Sequence, residues 1–265
     1  MKKILAISLV LMLAVGCFCL TGCGDATFGG NYQEATAEDV QTIVDSAKFQ
    51  QGVQDITAQE GYEMIIDVYS KMDSNVFDVN MNLKFVNEDN NPKMQGTVDA
   101  KMNFSYGNQS VDMGAKGDVY YADGYTYANE TVKANGQSIS QKVKQEGDWS
   151  EYYSDYLEKI MDMANQYDLG SLIQMAGVSD TVKVSIATDD GTKIKFESVV
   201  NEEGSSGRME VIFVFDADYN LIANKINIDS SYTYEGSTTT IKMNITNKPY
   251  TGTINLPGDL NTYVG

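Results

Sequence analysis

Carboxylates are almost the only side chains in this sequence that could carry out chemistry. The chain contains 37 aspartate and glutamate residues and no histidine. Without histidine it can form neither a Ser-His-Asp nor a Cys-His catalytic group, and histidine-based zinc or copper sites are excluded as well. The composition therefore leaves only carboxylate catalysis and metal sites built from oxygen ligands.

The spacing of the acidic residues favours neither kind of site. Asp216, Asp218 and Asn220 have the opening spacing of a calcium loop. The sixth and twelfth positions, however, are Leu221 and Asn227, where such loops carry glycine and a bidentate glutamate. We interpret the stretch as a polar turn. No spacing singles out a carboxylate pair of the kind that glycosidases use. The sequence thus predicts no enzyme, no metal site and no cofactor, with a carboxylate-based hydrolase as the third-ranked alternative.

One cysteine near the start of the chain lies in a context that predicts covalent modification. Lys2 and Lys3 precede an uncharged apolar stretch that ends in Leu20-Thr21-Gly22-Cys23, which is the plan of a signal peptide. The last four residues resemble the lipobox of bacterial lipoproteins. This resemblance implies that residues 1–22 are removed and that Cys23 carries a diacylglycerol as the new N-terminus. The alternative is an unmodified cysteine late in a signal or membrane helix.

The lipid would place the protein outside the cytoplasm, attached to a bacterial membrane. No later apolar run in the sequence is long enough to cross a bilayer. The net charge is −18 and Arg208 is the only arginine, which argues against nucleic-acid binding and against attraction to anionic lipid headgroups. The membrane, reached through the N-terminal lipid, is therefore the predicted partner.

Helical spacing predicts two short helices before the first strand. Residues 23–56 combine a polar spacer with a helix that begins near Thr36. Thr57 and Glu60 form a capping box, and the pattern after them predicts a second helix over residues 57–72. The apolar stripe of that helix would consist of Tyr62, Ile65, Ile66, Tyr69 and Met72.

From Val76 onward apolar residues alternate with polar ones, the period of strands that bury one face. The segment from Phe77 to Phe85 shows this alternation without a break. Turn signals such as Asp123-Gly124 and Asn135-Gly136 separate about eleven strands, and such short connections predict antiparallel neighbours. Gly96 replaces an expected apolar side chain and indicates a bulge or bend.

A helical segment interrupts the strands at about residues 150–176. Its main part, from Glu151 to Asp168, has an apolar surface wide enough to contact neighbours on two sides. One or two further helical turns are predicted from Ser171 to Ala176. Strands on both sides of a short helical insert predict a domain of the α+β class.

The order of these elements resembles a family of bacterial carrier lipoproteins. A helix is followed by about six strands, a helical insert that Trp149 opens, and about five more strands. The paired tyrosines between Asp118 and Tyr127 and the closing Ile254-Asn255-Leu256-Pro257 add to the similarity. Over about residues 57–260 the chain is similar to the family that includes the LolA, LolB and LppX/LprG proteins.

This resemblance implies an incomplete β-barrel, in which residues 57–265 form an open, curved antiparallel sheet with helices packed on its concave face. In that family the gap between helices and sheet accepts acyl chains. The arginine that LolA associates with its cargo has no counterpart here, and Arg208 is not assigned that role. The residues that would line the cavity are Met81, Leu83, Phe85, Met102, Phe104, Tyr156, Ile160, Met163 and Tyr167.

Two hypotheses about function follow. The first is a lipid-anchored extracytoplasmic binding protein that carries or senses a lipid or other amphiphilic ligand in an apolar cavity. The alternative is a surface interaction protein or envelope-structural lipoprotein with a filled core and no small-molecule ligand. A continuous apolar cavity between the inserted helix and the sheet favours the first hypothesis, whereas close packing there favours the second.

Overall fold

Twelve strands of the chain form one antiparallel sheet. The structure, a computed structural model, describes residues 28–54, 61–88, 91–106, 109–148, 152–164, 167–189 and 191–265. The predicted attachment residue Cys23 lies outside these ranges. The strands are β1 (Gln33–Ala35), β2 (Gly61–Met72), β3 (Asn75–Glu88), β4 (Asn91–Tyr106), β5 (Gln109–Ala122), β6 (Tyr125–Ala134), β7 (Gln137–Glu146), β8 (Val182–Ala187), β9 (Thr192–Glu202), β10 (Ser205–Phe215), β11 (Leu221–Tyr234) and β12 (Ser237–Pro249).

In the described part of the chain, four α-helices accompany the sheet. Helices α1 (Ala37–Val44) and α2 (Ala47–Gln54) follow β1, and helices α3 (Ser154–Ala164) and α4 (Leu169–Val178) lie between β7 and β8. A 3-10 helix, Leu260–Thr262, follows the last strand. None of the described helices is long and apolar enough to cross a bilayer.

The sheet consists of two wings that meet along one pair of strands. Strands β2 to β7 follow one another in space as they do in sequence, and so do β8 to β12. The wings join where β12 pairs with β2, and the short β1 pairs with β8 at the far edge. The described strands do not close into a barrel, because β1 and β7 are both edges. The α+β class and the curved, open antiparallel sheet are thus confirmed.

Alternation of apolar and polar residues places one continuous apolar cluster on one face of the sheet. In β3, the odd-numbered residues from Phe77 to Leu83 are buried, while Asp78 and its even-numbered neighbours face the other way. The helices cover this apolar face, since Val40 of α1, Phe49 of α2, Ile160 of α3 and residues of α4 belong to the same cluster. The concave face is therefore the inside of the molecule.

The helix predicted over residues 57–72 is wrong for the part that the structure describes. Residues 61–72 form β2, which pairs along its whole length with β3 on one side and with β12 on the other. Met64, Ile66 and Val68 point into the apolar cluster. Their spacing has the period of two residues that is typical of a strand, and not the helical period of 3.6. The aromatic and β-branched residues of this segment suit a central strand, and two long ladders outweigh a local helical signal. Thr57 and Glu60 lie outside the described residues.

The other helix predictions are confirmed, with sharper bounds. Helix α1 begins after Thr36, whose side chain accepts a hydrogen bond from the Asp39 backbone N–H while the Asp39 carboxylate accepts from the Thr36 N–H. The predicted insert resolves into α3 and α4. Asp168 caps α4, because its side chain accepts a hydrogen bond of 2.7 Å from the Ser171 N–H.

Local turn chemistry also agrees with the sequence, with one exception. Asp123-Gly124 and Asn135-Gly136 adopt positive φ angles in tight hairpins, as predicted. Asp216 accepts hydrogen bonds from the backbone N–H groups of Asp218 and Asn220, so this stretch is the predicted polar turn.

No bulge occurs at Gly96, where β3 and β4 pair without a register shift. A Cβ there would collide with the carbonyl oxygen of Asn82, so close approach of the strands requires the glycine.

Candidate functional site

Helix α3 is attached to the concave face through a buried carboxylate. Glu130 lies on the inward face of β6 and is only 5% exposed. Tyr152 and Tyr153, at the start of the α3 segment, donate their hydroxyl hydrogens to the two oxygens of this carboxylate, from Tyr153 over 3.1 Å. Gln141, directly opposite Glu130 on β7, donates from Nε2 over 3.3 Å. We call Glu130, Gln141, Tyr152 and Tyr153 the carboxylate cluster.

The carboxylate cluster is satisfied by neutral donors. The neighbouring lysines Lys116, Lys133 and Lys142 pair with aspartates at the surface instead. Burial, and after it the negative charge of Glu130, raises the pKa of Tyr153 above its usual range. Burial and the hydrogen bond to Glu130 do the same to the pKa of Tyr152. Both tyrosines therefore stay protonated at neutral pH and remain donors to the carboxylate.

Small side chains beside Glu130 allow the tyrosines to reach it. Gly117 of β5 lies opposite Glu130 in the ladder, and a Cβ at this position would collide with the backbone of Asn129 and Glu130. The inward positions nearby are also small and buried, namely Ala100, Ala115, Val119 and Ala128. Larger residues at these positions would crowd the buried face of the sheet beside Glu130.

The nine predicted cavity-lining residues all belong to one apolar cluster on the concave face. Five of them are buried, namely Met81, Leu83, Met102, Ile160 and Tyr167. The other four are only partly buried: Phe85, Phe104, Tyr156 and Met163. The predicted residues therefore share one apolar interior, whose margin is accessible from outside.

Not all nine residues lie close together. Phe85 stacks on Tyr62 at a ring-centroid distance of 4.3 Å, at the end of β3 opposite Phe77. Phe104, near Phe77, instead lies under helix α3, where the Lys159 Nζ is 4.1 Å from its ring centroid. About eight residues of β3 separate these two ends, or roughly 26 Å of extended chain. We call the partly buried residues near this helix, Phe104, Tyr156 and Met163, the α3 margin.

A second polar group lies in the same apolar interior, in the other wing of the sheet. Asn224 of β11 and Asn247 of β12 are directly opposite each other and are 0% and 3% exposed. Asn247 donates from Nδ2 to the Asn224 Oδ1 over 2.8 Å. Within the described part of the chain, the Asn224 Nδ2 and the Asn247 Oδ1 have no hydrogen-bond partner. We call these two residues the amide pair.

Glu130, Asn224 and Asn247 were not predicted from the sequence as site residues. Each is a polar residue at a position where strand alternation requires an apolar one. Asn224 precedes Ile226 and Ile228 by two and four residues, and Asn247 follows Ile245 and Met243 by the same steps. A search for polar residues in phase with the buried face would have found all three. Polar residues are common in strands, so the signal appears only after the phase of each strand is known.

A shallow groove of about 210 Å³ lies on the opposite, polar face of the sheet. It crosses β11, β12, β2 and β3, and its walls include Asp67, Tyr69 and Lys242. Because it lies on the polar face, the groove is separate from the apolar interior that the predicted residues line.

Among the described residues, no three acidic or cysteine side chains are placed to hold a metal ion.

Comparison with known proteins adds little to this description. No protein-family model matches the chain, and no curated protein matches its sequence. Among solved structures, the crystal structure of a DUF1329 family protein from Desulfovibrio piger aligns with 78% of this chain and 94% of that one. The two chains share 9% sequence identity, and the TM-score is 0.24. A similarity at this level says nothing about function.

Proposed function

We propose that this protein is a lipid-anchored extracytoplasmic binding protein that carries a lipid or other amphiphilic ligand between the concave face of the sheet and helix α3. The observation that carries this proposal is the α3 margin. Phe104, Tyr156 and Met163 lie at the accessible border of an apolar cluster that extends across the sheet from β8 to β5. An acyl chain entering there would exchange water for apolar side chains, and each buried methylene contributes about 0.8 kcal/mol.

The two ends of helix α3 are held differently, which supports an entry route at this margin. The start of the helix is fixed by the hydrogen bonds of Tyr152 and Tyr153 to Glu130. Further along, Lys159 is exposed and contacts the Phe104 ring through its ammonium group, an interaction of roughly 0.5–1 kcal/mol at such sites. The rest of the helix is held by apolar contacts such as those of Ile160, which is buried in the cluster. An acyl chain can replace such contacts, whereas the buried carboxylate keeps the start of the helix attached.

The interior supplies side chains that suit a flexible apolar ligand. Met64, Met81, Met94, Met102 and Met243 are all buried in the cluster. Methionine has an unbranched, polarizable side chain that adapts to irregular shapes. A cavity that opens to accept a chain and refills when the chain leaves requires that adaptability.

A specific observation favours the alternative, a surface interaction or envelope-structural lipoprotein with a filled core. Met81, Leu83, Met102 and Ile160 are at most 2% exposed, so these four of the predicted lining residues are inaccessible in this conformation. If the interior never opens, the partner of the protein would be another macromolecule. Ligand uptake by the exported protein decides between the two functions.

Native mass spectrometry of the full-length protein, purified in detergent from a host that exports it, tests the binding function. We expect one apolar ligand per chain, released on collisional activation, in addition to the covalent lipid. Tyr156→Ala should reduce uptake of a fluorescent fatty acid several-fold and cost less stability than truncation of a close-packed aromatic, typically about 3–5 kcal/mol. The matched control is Tyr234→Ala, because Tyr234 is 65% exposed on β11. Absence of uptake by the wild type, with a full core penalty for Tyr156→Ala, would establish the filled-core alternative.

The anchor is tested separately. The lipobox supports attachment through Cys23, so Cys23→Ala should prevent lipid modification and processing of residues 1–22. We expect no mature-sized protein of this variant in the salt-washed membrane fraction, whereas the wild type remains there. Mature-sized protein that stays membrane-bound without Cys23 would contradict lipid anchoring.

A further inference from the structure

The amide pair has an unused donor and an unused acceptor side by side in an apolar interior. Asn224 and Asn247 lie in one row across the sheet, with Phe213 of β10 on one side and Met64 of β2 on the other. Both of these neighbours are buried apolar residues. The described residues provide no partner for the Asn224 Nδ2 or the Asn247 Oδ1. A buried polar atom without a partner is unfavourable, so a core selected for stability alone would carry apolar residues here.

The arrangement keeps one donor and one acceptor whichever way the amides are turned. Rotating both side-chain amides by half a turn would make Asn224 the donor of the internal hydrogen bond and Asn247 its acceptor. The Asn224 oxygen and the Asn247 nitrogen would then be the unpaired atoms. In both cases the pair presents one unpaired amide nitrogen and one unpaired carbonyl oxygen to the interior. The complementary ligand group has a carbonyl oxygen and an N–H that point to the same side.

We propose that the amide pair recognises the uncharged primary amide group of a fatty-acid amide. The proposal rests on the proposed function, because the ligand must reach the space between helices and sheet. The Asn224 Nδ2 would donate to the carbonyl oxygen of the ligand, and the Asn247 Oδ1 would accept its N–H. The acyl chain would then run along the same row of the sheet, over Met64 and Leu83, which spans roughly 10 Å across two strand spacings.

The chemistry of the site discriminates between head groups. A carboxylate has no N–H for the Asn247 oxygen, and its charge would be buried between the apolar neighbours Phe213 and Met64. An ester or a tertiary amide has the carbonyl oxygen but no N–H, so one atom of the pair stays unpaired. A trans secondary amide has an N–H, but it points away from the carbonyl oxygen and cannot reach the second atom of the pair. Only a primary amide satisfies both atoms without introducing a charge.

The test compares two ligands that differ in the donor alone. Hexadecanamide and N,N-dimethylhexadecanamide are added at equal concentration to the full-length protein in detergent, and native mass spectrometry counts the bound molecules. We expect the primary amide to bind at least about tenfold more tightly, because the dimethyl amide leaves a buried acceptor unpaired. The double variant Asn224→Leu/Asn247→Leu should lose this preference.

A matched control lies on the same two strands. Asn227 and Asn244 are also opposite each other on β11 and β12, but on the polar face. The double variant Asn227→Leu/Asn244→Leu should keep the full preference for hexadecanamide. If the wild type binds both amides equally, or if Asn224→Leu/Asn247→Leu keeps the preference, the amide pair does not recognise the ligand, although the binding function stands. If the wild type binds neither amide nor any fatty acid, the binding function fails and the amide site with it.

Discussion

The two wings of the sheet bury polar side chains in the same apolar cluster but treat them in opposite ways. In the β2–β7 wing, the Glu130 carboxylate receives hydrogen bonds from Tyr152, Tyr153 and Gln141. In the β8–β12 wing, the amide pair makes one internal hydrogen bond and leaves two atoms unpaired in the described part of the chain. The carboxylate cluster joins helix α3 to the sheet, whereas the hydrogen bond of the amide pair joins only the neighbouring strands β11 and β12.

This contrast separates the polar groups that hold a fold together from those that are available to a ligand. A fully partnered buried group stabilises the native state, and its removal leaves its former partners without bonds. A partly partnered group costs stability, and its replacement by an apolar side chain of similar shape relieves that cost. The two clusters should therefore respond to substitution with opposite signs, and four measurements test this expectation.

The largest effect should come from a new polar group without any partner. Ile160→Asp would place a carboxylate at a position on α3 that is 2% exposed, and we expect the free energy of unfolding to fall by about 4 kcal/mol or more. Urea denaturation followed by circular dichroism measures the loss. Val178→Asp on α4 is the control, since Val178 is 86% exposed and the change should stay within about 0.5 kcal/mol. Equal effects at the two positions would mean that α3 does not pack on the sheet.

The second largest effect should come from removing the carboxylate of Glu130. Glu130→Met leaves the hydroxyls of Tyr152 and Tyr153 without their acceptor, and we expect a loss of about 3 kcal/mol. Glu130→Gln keeps one acceptor oxygen, so its free energy of unfolding should fall by less. Adding Tyr152→Phe and Tyr153→Phe to Glu130→Met should restore part of the stability, because the unpaired hydroxyls are gone. A triple variant no more stable than Glu130→Met would show that the tyrosines do not depend on this carboxylate.

A smaller change of opposite sign should follow when the amide pair is replaced. Leucine has nearly the shape of asparagine, so Asn224→Leu/Asn247→Leu removes the unpaired atoms with little change in packing. We expect a gain of about 1–2 kcal/mol in the free energy of unfolding without ligand, measured by the same denaturation. Asn227→Leu/Asn244→Leu on the polar face should show no such gain. A loss of stability in the inner double variant would place the amide pair among the structural groups, beside Glu130.

The last effect is absent at neutral pH and appears only at alkaline pH, where it should distinguish the clusters by titration. Burial raises the pKa of Tyr167 to about 12, and the pKa values of Tyr152 and Tyr153 are raised as well. An unfolded tyrosine titrates near pH 10, so the stability that these groups contribute is complete below about pH 10 and falls as the pH rises towards 12. Tyr152→Phe/Tyr153→Phe should flatten this fall, whereas Asn224→Leu/Asn247→Leu should leave its slope unchanged. Tyrosinate absorbance measures the ionisation of the tyrosines, and thermal melts at each pH measure the stability.

Much of the fold could be predicted because its signals are local. Alternation from Phe77 to Phe85 and turn pairs such as Asp123-Gly124 determine strands and hairpins within a few residues. The same locality explains the error at residues 61–72. Ile65, Ile66 and Tyr69 fit a helical stripe, and nothing nearby reveals that β12, more than 160 residues away, supplies the second ladder. Long-range pairing decided the structure of this segment.

The polar groups of the interior were harder to predict than its apolar residues. Met81, Leu83 and Ile160 follow from periodicity alone, and the structure buries all three. Glu130 and Asn247 interrupt that periodicity, and a single sequence gives no sign of whether such an interruption has a partner. The partner of Glu130 comes from α3, more than 20 residues further along the chain. Only the folded structure shows which of these buried polar side chains has hydrogen-bond partners.

The junction of the two wings has a consequence for the kinetics of folding. Each neighbouring pair within a wing is joined by a short turn or hairpin, but the β2–β12 ladder connects residues at nearly opposite ends of the sequence. Closing so long a loop is slow, and the rate of folding falls as sequence separation grows. The central ladder cannot form until Pro249 has emerged, so a partly synthesised or partly translocated chain lacks the middle of its sheet. For the export that we propose, we expect this delay to keep the protein open until it has crossed the membrane.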